Sequence, residues 1–246
     1  MTLVEILHPS CALFLDFDGT MVDLAPQPHA VHVPDFLVGT LRELQAMLGG
    51  AVAVISGRPI DQLDAFLQPL RLPTAGVHGA ERRSADGHLH LLHTHPLEHV
   101  EEAARALAAQ HEALLVETKR GSVALHYRLA PQLEELCLRT MQDAIAESPG
   151  ITLMRGKMVA EAKPGGASKG RAIEDFLGEA PFAGRTPVFI GDDVTDEAGF
   201  IAVQRLGGIG IKVGPGASAA QHRLADPSAL HRELAAALAD RRPRVA

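Results

Sequence analysis

The apolar run Leu13-Phe14-Leu15 breaks off at Asp16-Phe17-Asp18-Gly19-Thr20, so a hydrophobic stretch ends on two carboxylates with one residue between them. A short continuous apolar run of this kind reads as a buried strand. Side chains alternate along a strand, which predicts Asp16 and Asp18 on one side of its carboxyl end and Phe17 on the other. Gly19 then lets the backbone turn away. Two carboxylates at hydrogen-bonding separation repel by roughly 4 kcal/mol at an effective dielectric of about 20, so the pair is not expected to stand charged and uncompensated. It calls for a cation.

The rest of the chain repeats this strand-then-polar-turn device. Residues 24–34 form a loop with three prolines and two histidines, the length of loop that usually serves a function. A helix is predicted from Pro34, with Phe36, Leu37, Leu41, Leu44, Met47 and Leu48 on its inner face and Gly49-Gly50 at its end. A strand over residues 51–55 delivers Ser56-Gly57-Arg58, Pro59 opens a helix through Leu63 and Phe66, and a third strand covers residues 75–78. At Ser168 the rhythm resumes: Lys169 lies just inside a helix with Ile173, Phe176 and Leu177 inward. A strand over residues 187–190 follows, ending in Gly191-Asp192-Asp193-Val194-Thr195-Asp196-Glu197. Residues 209–213 are the last predicted strand, before a terminal Ala/Leu helix and a frayed end over residues 241–246. Strand and helix alternating in this way predict an α/β fold, an open parallel sheet of Rossmann-like type.

Between the two halves the texture differs. An Ala-rich helix to His111, strands over residues 113–116 and 122–127, a helix over 131–146 and strands over 151–154 and 158–162 make an α+β unit. The predicted organisation is a core of residues 1–97 and 164–246 with an inserted domain over 98–163. No internal repeat is present. The histidines His88, His90, His93, His95 and His99 read as an exposed hairpin with polar alternation rather than a metal site.

Composition removes several function classes. No apolar stretch reaches the ~18 residues that suggest a membrane span, and the start lacks a basic-then-apolar secretory pattern, so a soluble cytoplasmic protein is expected. Cys11 and Cys137 sit in apolar surroundings and are expected as buried free thiols. A net charge of -7, no Trp and one Tyr argue against nucleic acid or an anionic membrane as partner. A small phosphorylated molecule remains compatible, and the chain is expected to be monomeric.

In open parallel sheets ligands bind outside the carboxyl ends of the strands, and Asp16, Asp18, Ser56, Asp192, Asp193 and Asp196 all fall at or just beyond such ends. If the strands before Asp16 and Asp192 are neighbours, hard oxygen ligands converge in a manner suited to Mg²⁺. A carboxylate can attack phosphorus and form an acyl phosphate, and a second carboxylate two residues on can protonate the leaving alkoxide and then deprotonate water. Ser56 and Lys169 would hold the transferring oxygens, with backbone amides of Gly19 and Thr20 added.

Asp16-Phe17-Asp18-Gly19-Thr20, Ser56-Gly57-Arg58, Ser168-Lys169-Gly170 and Gly191-Asp192-Asp193 resemble the four motifs of the haloacid dehalogenase superfamily of phosphatases. The insert resembles the cap of its sugar-phosphatase branch. Four further stretches are similar to the trehalose-6-phosphate phosphatase family: residues 76–81 (Gly76-Val77-His78-Gly79-Ala80-Glu81), Val116-Glu117-Thr118-Lys119, residues 124–128 (Ala124-Leu125-His126-Tyr127-Arg128) and residues 156–161 (Gly156-Lys157-Met158-Val159-Ala160-Glu161).

That resemblance implies Mg²⁺-dependent hydrolysis of trehalose 6-phosphate through an aspartyl-phosphate. Asp16 would be the nucleophile and Asp18 the acid/base, reaching the metal through its backbone carbonyl. Ser56 and Lys169 would bind phosphate, and Asp192 the metal. It leaves open which of Asp193 and Asp196 acts through water. Substrate contacts are implied at Gly19, Thr20, Arg58, His78 and Glu81 in the core and at Glu117, Lys119, Arg128, Lys157 and Glu161 in the cap. Ala160 and Gly165 depart from the family pattern in being small. The same chemistry on a sucrose- or glycosylglycerate-type phosphate is the alternative expectation. A silent phosphosugar sensor is another, though the chain keeps the nucleophile and metal carboxylate that such modules lose. An ATP-driven phosphotransferase lacks its Gly-rich loop.

Overall fold

In a computed structural model of the chain the described residues are 2–25, 30–92, 97–119, 121–146 and 148–241. The first segment opens with a single helical turn, α1 (Leu3–Ile6), too short to show a helical period in the sequence. β1 (Cys11–Leu15), α2 (Asp35–Met47), β2 (Val52–Ile55), α3 (Ile60–Leu67), β3 (Thr74–Gly76), β4 (Glu81–Arg83) and β5 (Leu89–Leu91) follow. Then come α4 (Glu98–Ala108), β6 (Leu115–Lys119), β7 (Ser122–His126), α5 (Glu134–Ile145), β8 (Ile151–Gly156) and β9 (Val159–Pro164). The chain ends with α6 (Lys169–Leu177), β10 (Thr186–Gly191), α7 (Glu197–Arg205), β11 (Ile209–Val213), β12 (His222–Leu224) and α8 (Pro227–Arg241).

Two units form, Met1–His90 with Ser168–Ala246, and Leu91–Ala167. The first is built on an eight-stranded sheet in the order β12-β11-β10-β1-β2-β3-β4-β5, parallel from β12 to β3 and antiparallel from β3 to β4. β1 and β2 are buried along their whole length, so they read as continuous apolar runs rather than alternating ones. One face of the sheet packs Leu13, Leu15, Val54 and Ile190 with Leu41 and Leu44 of α2 and Leu230 and Leu234 of α8. The other packs Phe14, Ala53 and Phe189 with Ile173 and Phe176 of α6 and Phe200 of α7. Phe14 lies 5.4 Å from Phe182 and 6.1 Å from Phe176, ring centre to ring centre. The sheet is therefore covered by helices on both faces, as a parallel sheet requires.

Several local expectations shift. Phe36, predicted inward on α2, is exposed and meets the ring of His231 edge-on at 5.0 Å. The strand expected over 75–78 ends at Gly76, and Val77–Gly79 forms a 3-10 turn in which Val77 and His78 take φ values of 48° and 54°. A β-branched residue at positive φ is strained, and the turn is held by Val77 N–H donating to Arg58 O at 3.0 Å and His78 N–H to Ser56 O at 2.9 Å. β12 is an additional strand beyond β11, three residues long at the sheet edge. β5 is exposed throughout, His99 is on the exposed side of α4, and His93 and His95 lie outside the described residues. So do residues 26–29 of the long loop and 242–246 of the terminus.

The second unit is a four-stranded antiparallel sheet, β6-β7-β9-β8, with α4 and α5 on one face. Val123, Leu125, Tyr127, Ala160 and Ala162 point to Val100 and Ala104 of α4 and to Cys137, Leu138 and Met141 of α5. Period-two alternation then places Glu117, Lys119, His126, Glu161 and Lys163 on the opposite face. The unit is wider than residues 98–163: β9 runs on to Pro164, and Lys163 Nζ donates to Ala167 O, tying the return segment to it. Cys11 and Cys137 are both buried free thiols. Among the described residues no helix is long and apolar enough to cross a membrane.

Candidate active site

The parallel pairing of β1 with β10 sets Leu15 opposite Ile190, and Asp16 N–H donates to Ile190 O at 2.9 Å. The acidic ends of the two strands are thereby neighbours. Carboxylate oxygens of Asp16, Asp192 and Asp196 all lie within 4.8 Å of one another. Gly19, at φ 80°, makes this possible, because a Cβ there would run into the Asp192 carboxylate.

Lys169 enters from α6, whose start is capped by Ser168 Oγ accepting from Arg171 N–H at 3.1 Å. Its buried Nζ donates to Asp16 Oδ1 and to Asp196 Oδ1, both at 2.6 Å. Asp196 is fully buried, and its Oδ2 accepts from the N–H groups of Asp192 and Asp193 at 2.9 Å each. Asp193 accepts from Val194 N–H at 2.5 Å and caps the turn from outside. Asp196 thus braces the acidic loop while Asp193 shapes its rim. Lys212, which the sequence pattern did not single out, donates from β11 to Asp192 O. Its signal was a lysine in the otherwise apolar strand Ile209–Val213.

On the β2 side, Ser56 Oγ accepts from Arg58 N–H at 3.2 Å, which leaves its own O–H to donate. Arg58 grips Asp18 bidentately, Nε to Oδ2 at 2.6 Å and Nη2 to Oδ1 at 2.7 Å, and lies against the rings of Phe17 and Phe66 at 5.8 and 5.0 Å. The Asp18 carboxylate is therefore aimed at Arg58, apart from the Asp16–Asp192–Asp196 cluster. The His78 ring occupies the space a Cβ on Gly57 would need. Glu81 Oε1 accepts from Ile60 N–H at 2.6 Å, so that oxygen serves the start of α3.

The electrostatics follow from crowding. Burial, then the charges of Asp196 and Asp192, push the Asp16 carboxyl well above its usual range even against the Lys169 ammonium. Burial and the Asp196 charge likewise push Asp192 up to about 6. Burial works to deprotonate Lys169, but Asp16 and Asp196 overcome it and hold the ammonium above its ordinary value. Thr20 Oγ1 and Asp192 Oδ1 are buried without a hydrogen-bond partner, and such orphans are rare. An all-oxygen donor set, an excess of negative charge over the one bridging ammonium, and an unpartnered carboxylate oxygen fit a small divalent cation such as Mg²⁺.

In the second unit Glu117 Oε2 lies 3.0 Å from His126 Nε2 and 3.6 Å from Lys119 Nζ. Lys119 Nζ is also 3.6 Å from Glu161 Oε1, which accepts from Ser122 Oγ at 2.6 Å. Burial raises the Glu117 carboxyl, but the His126 hydrogen bond and the Lys119 charge outweigh it, and the net value falls below the usual range. Arg128 and Lys157 are exposed, one just past β7 and the other in the β8–β9 turn, and Tyr127 N–H donates to Met158 O at 3.0 Å beside them. The sheet thus brings Glu117, Lys119 and Glu161 into one network and leaves Arg128 and Lys157 at its end.

Residues 14–232 match a protein-family model described as trehalose-phosphatase. The chain belongs to the trehalose-phosphatase family. It is 46% identical over 227 residues to the trehalose-6-phosphate phosphatase of Escherichia coli K12, covering 92% of this chain and 85% of that protein. Its fold is shared with the C-terminal domain of a C. albicans trehalose-6-phosphate phosphatase, at a TM-score of 0.85 and 20% identity over 93% of this chain and 92% of that one. A haloacid dehalogenase-like hydrolase from B. subtilis shares it at a TM-score of 0.66 and 14% identity, covering 91% of this chain and 99% of the other. The span matched by the trehalose-phosphatase model takes in every acidic, basic and hydroxyl side chain described above and leaves α1 outside.

Proposed function

We propose that this protein hydrolyses trehalose 6-phosphate to trehalose and inorganic phosphate through a phosphoryl-enzyme on Asp16, with Mg²⁺ as cofactor. The observation that carries the reading is the buried Asp16 carboxylate, held at 2.6 Å by Lys169 and clustered with Asp192 and Asp196 at the ends of β1 and β10. Asp16 attacks phosphorus, and the bond from phosphorus to the sugar oxygen breaks. Asp18 gives its proton to the departing alkoxide, then takes one from the water that attacks the acyl phosphate, releasing phosphate and restoring Asp16. For that task the Asp18 side chain leaves the Arg58 fork. Lys169, the Ser56 hydroxyl and the amides after Asp18 supply fixed donors where negative charge builds up. Asp16, the Asp18 carbonyl and Asp192 would hold the metal, with Asp196 bracing the loop behind them. When bound, the ion screens the nucleophile from the phosphate dianion.

In the second unit Glu117 and Glu161 accept from vicinal sugar hydroxyls, Lys119 donates, and Arg128 and Lys157 extend the polar surface. Rapid quenching with labelled substrate is expected to trap an acid-stable adduct on Asp16. Asp16→Asn is expected to release no phosphate while keeping the wild-type circular dichroism. Near-normal turnover by that variant would end the proposal.

A further inference from the structure

We propose that His126 is a positioning residue for sugar recognition, holding one oxygen of Glu117 so that the other is presented to the substrate. The inference rests on the reading of Glu117 given above and deepens it. On the antiparallel pair β6–β7, Glu117 stands opposite Ala124, so His126 is its diagonal neighbour on the same face of the sheet. Diagonal pairs of this kind reach one another when the side chains are long. His126 Nε2 lies 3.0 Å from Glu117 Oε2, and Lys119 Nζ approaches that same oxygen at 3.6 Å. Both contacts fall on Oε2. A carboxylate only accepts, so His126 carries its hydrogen on Nε2 and points it at Glu117.

The consequence is directional. A Glu side chain has three rotatable bonds, and a sugar must order it on binding unless something has ordered it already. The imidazole and the ammonium fix Oε2, and the carboxylate plane then sets where Oε1 points. The pair is only partly screened from solvent, at 24% side-chain exposure for His126 and 20% for Glu117, so it stands at a surface a ligand can reach. Packing does not account for His126: the apolar layer under α4 and α5 takes Leu125 and Tyr127, its neighbours in sequence, and leaves the imidazole on the other side. No metal is needed in this arrangement, and none of the acidic cluster's residues takes part in it.

The test uses the whole chain with Mg²⁺ and compares trehalose 6-phosphate with p-nitrophenyl phosphate, an aryl phosphate that carries no sugar. Losing one hydrogen bond to a charged partner corresponds to roughly 10-fold in binding. His126→Ala is expected to raise KM for trehalose 6-phosphate by about 10-fold relative to p-nitrophenyl phosphate. His126→Gln keeps an N–H at a similar reach and is expected to recover most of that loss. In a Glu117→Gln background, His126→Ala is expected to add little, because the group it orients is already changed. Equal losses on both substrates, no recovery with Gln despite a normal thermal melt, or fully additive losses would overturn the proposal. The two readings separate cleanly: a damaged Glu117→Ala beside a normal His126→Ala removes His126 alone. A normal KM in Glu117→Ala removes the Glu117 reading and this one with it.

Discussion

Tyr127 is the chain's single tyrosine, and no tryptophan accompanies it, so one side chain reports on the second unit without interference. Its hydroxyl donates to Glu134 Oε1 at 3.1 Å, and burial together with that carboxylate pushes its pKa up to about 12. The folded value exceeds the ~10 of an unfolded tyrosine. The resulting stabilisation is therefore complete below about pH 10 and is lost as pH rises through the folded value. Tyrosinate absorbance is expected to appear with a midpoint near 12 in the folded protein and near ~10 in denaturant. A folded midpoint equal to the denatured one would contradict the hydrogen bond to Glu134. At the acidic cluster, chelation is expected to abolish phosphate release and added Mg²⁺ to restore it. Calorimetric Mg²⁺ affinity is expected to fall by about 10-fold or more in Asp192→Asn, since a hard cation loses a charged oxygen. Undiminished affinity would place the ion elsewhere. Continuous apolar runs that stop at acidic residues were enough to read Asp16 and Asp192 at strand ends. They could not reveal that Asp196 shares the Lys169 ammonium with Asp16, or that Lys212 reaches the Asp192 carbonyl, because those lysines come from other elements.

At the scale of elements, the crossing of α6 and α7 is set by a glycine. A Cβ on Gly170 would strike the carbonyl oxygen of Ala198, a backbone atom that cannot swing aside. Gly170→Ala is expected to cost about 2 kcal/mol by overpacking, which is roughly 4–8 °C in Tm for a chain of this size. Turnover is expected to fall as well, because Lys169 precedes it at the start of α6. An unchanged melting curve would show that the helices re-space freely. Legibility at this scale follows length and periodicity. β1, β2, β10 and β11 are short apolar runs ended by polar turns, and their sequences announced them. α1 and β12 have four and three residues and no room for a pattern. The strand expected over residues 113–116 is Leu115–Lys119, because Glu117 and Lys119 look like a strand's end to a reading that seeks apolar residues. In the folded unit they are the polar half of an alternating strand.

The whole molecule holds separate hydrophobic cores. One cluster, from Val100 to Ala162, lies wholly within the second unit, while the two clusters on either side of the large sheet belong to the first. Met141 is fully buried in that second cluster, and truncating it to Ala is expected to cost about 2–5 kcal/mol there. Amide exchange is expected to quicken through residues 97–164 while β1 and β10 keep their protection. Equal loss of protection in β1 would mean that the two units unfold as one. What the sequence determined by itself is what short-range physics controls: which runs bury, which turns carry acid, where the strand-and-helix rhythm stops and restarts. What only the tertiary structure decided is which of those ends meet. Lys169 and Asp16 stand 153 positions apart, across a whole inserted unit, and the register of β1 on β10 together with the entry of α6 brings them to 2.6 Å. Local sterics and burial act between near neighbours in the chain, whereas strand order, helix crossings and the sharing of one ammonium by two carboxylates depend on closing long loops, which no local pattern encodes.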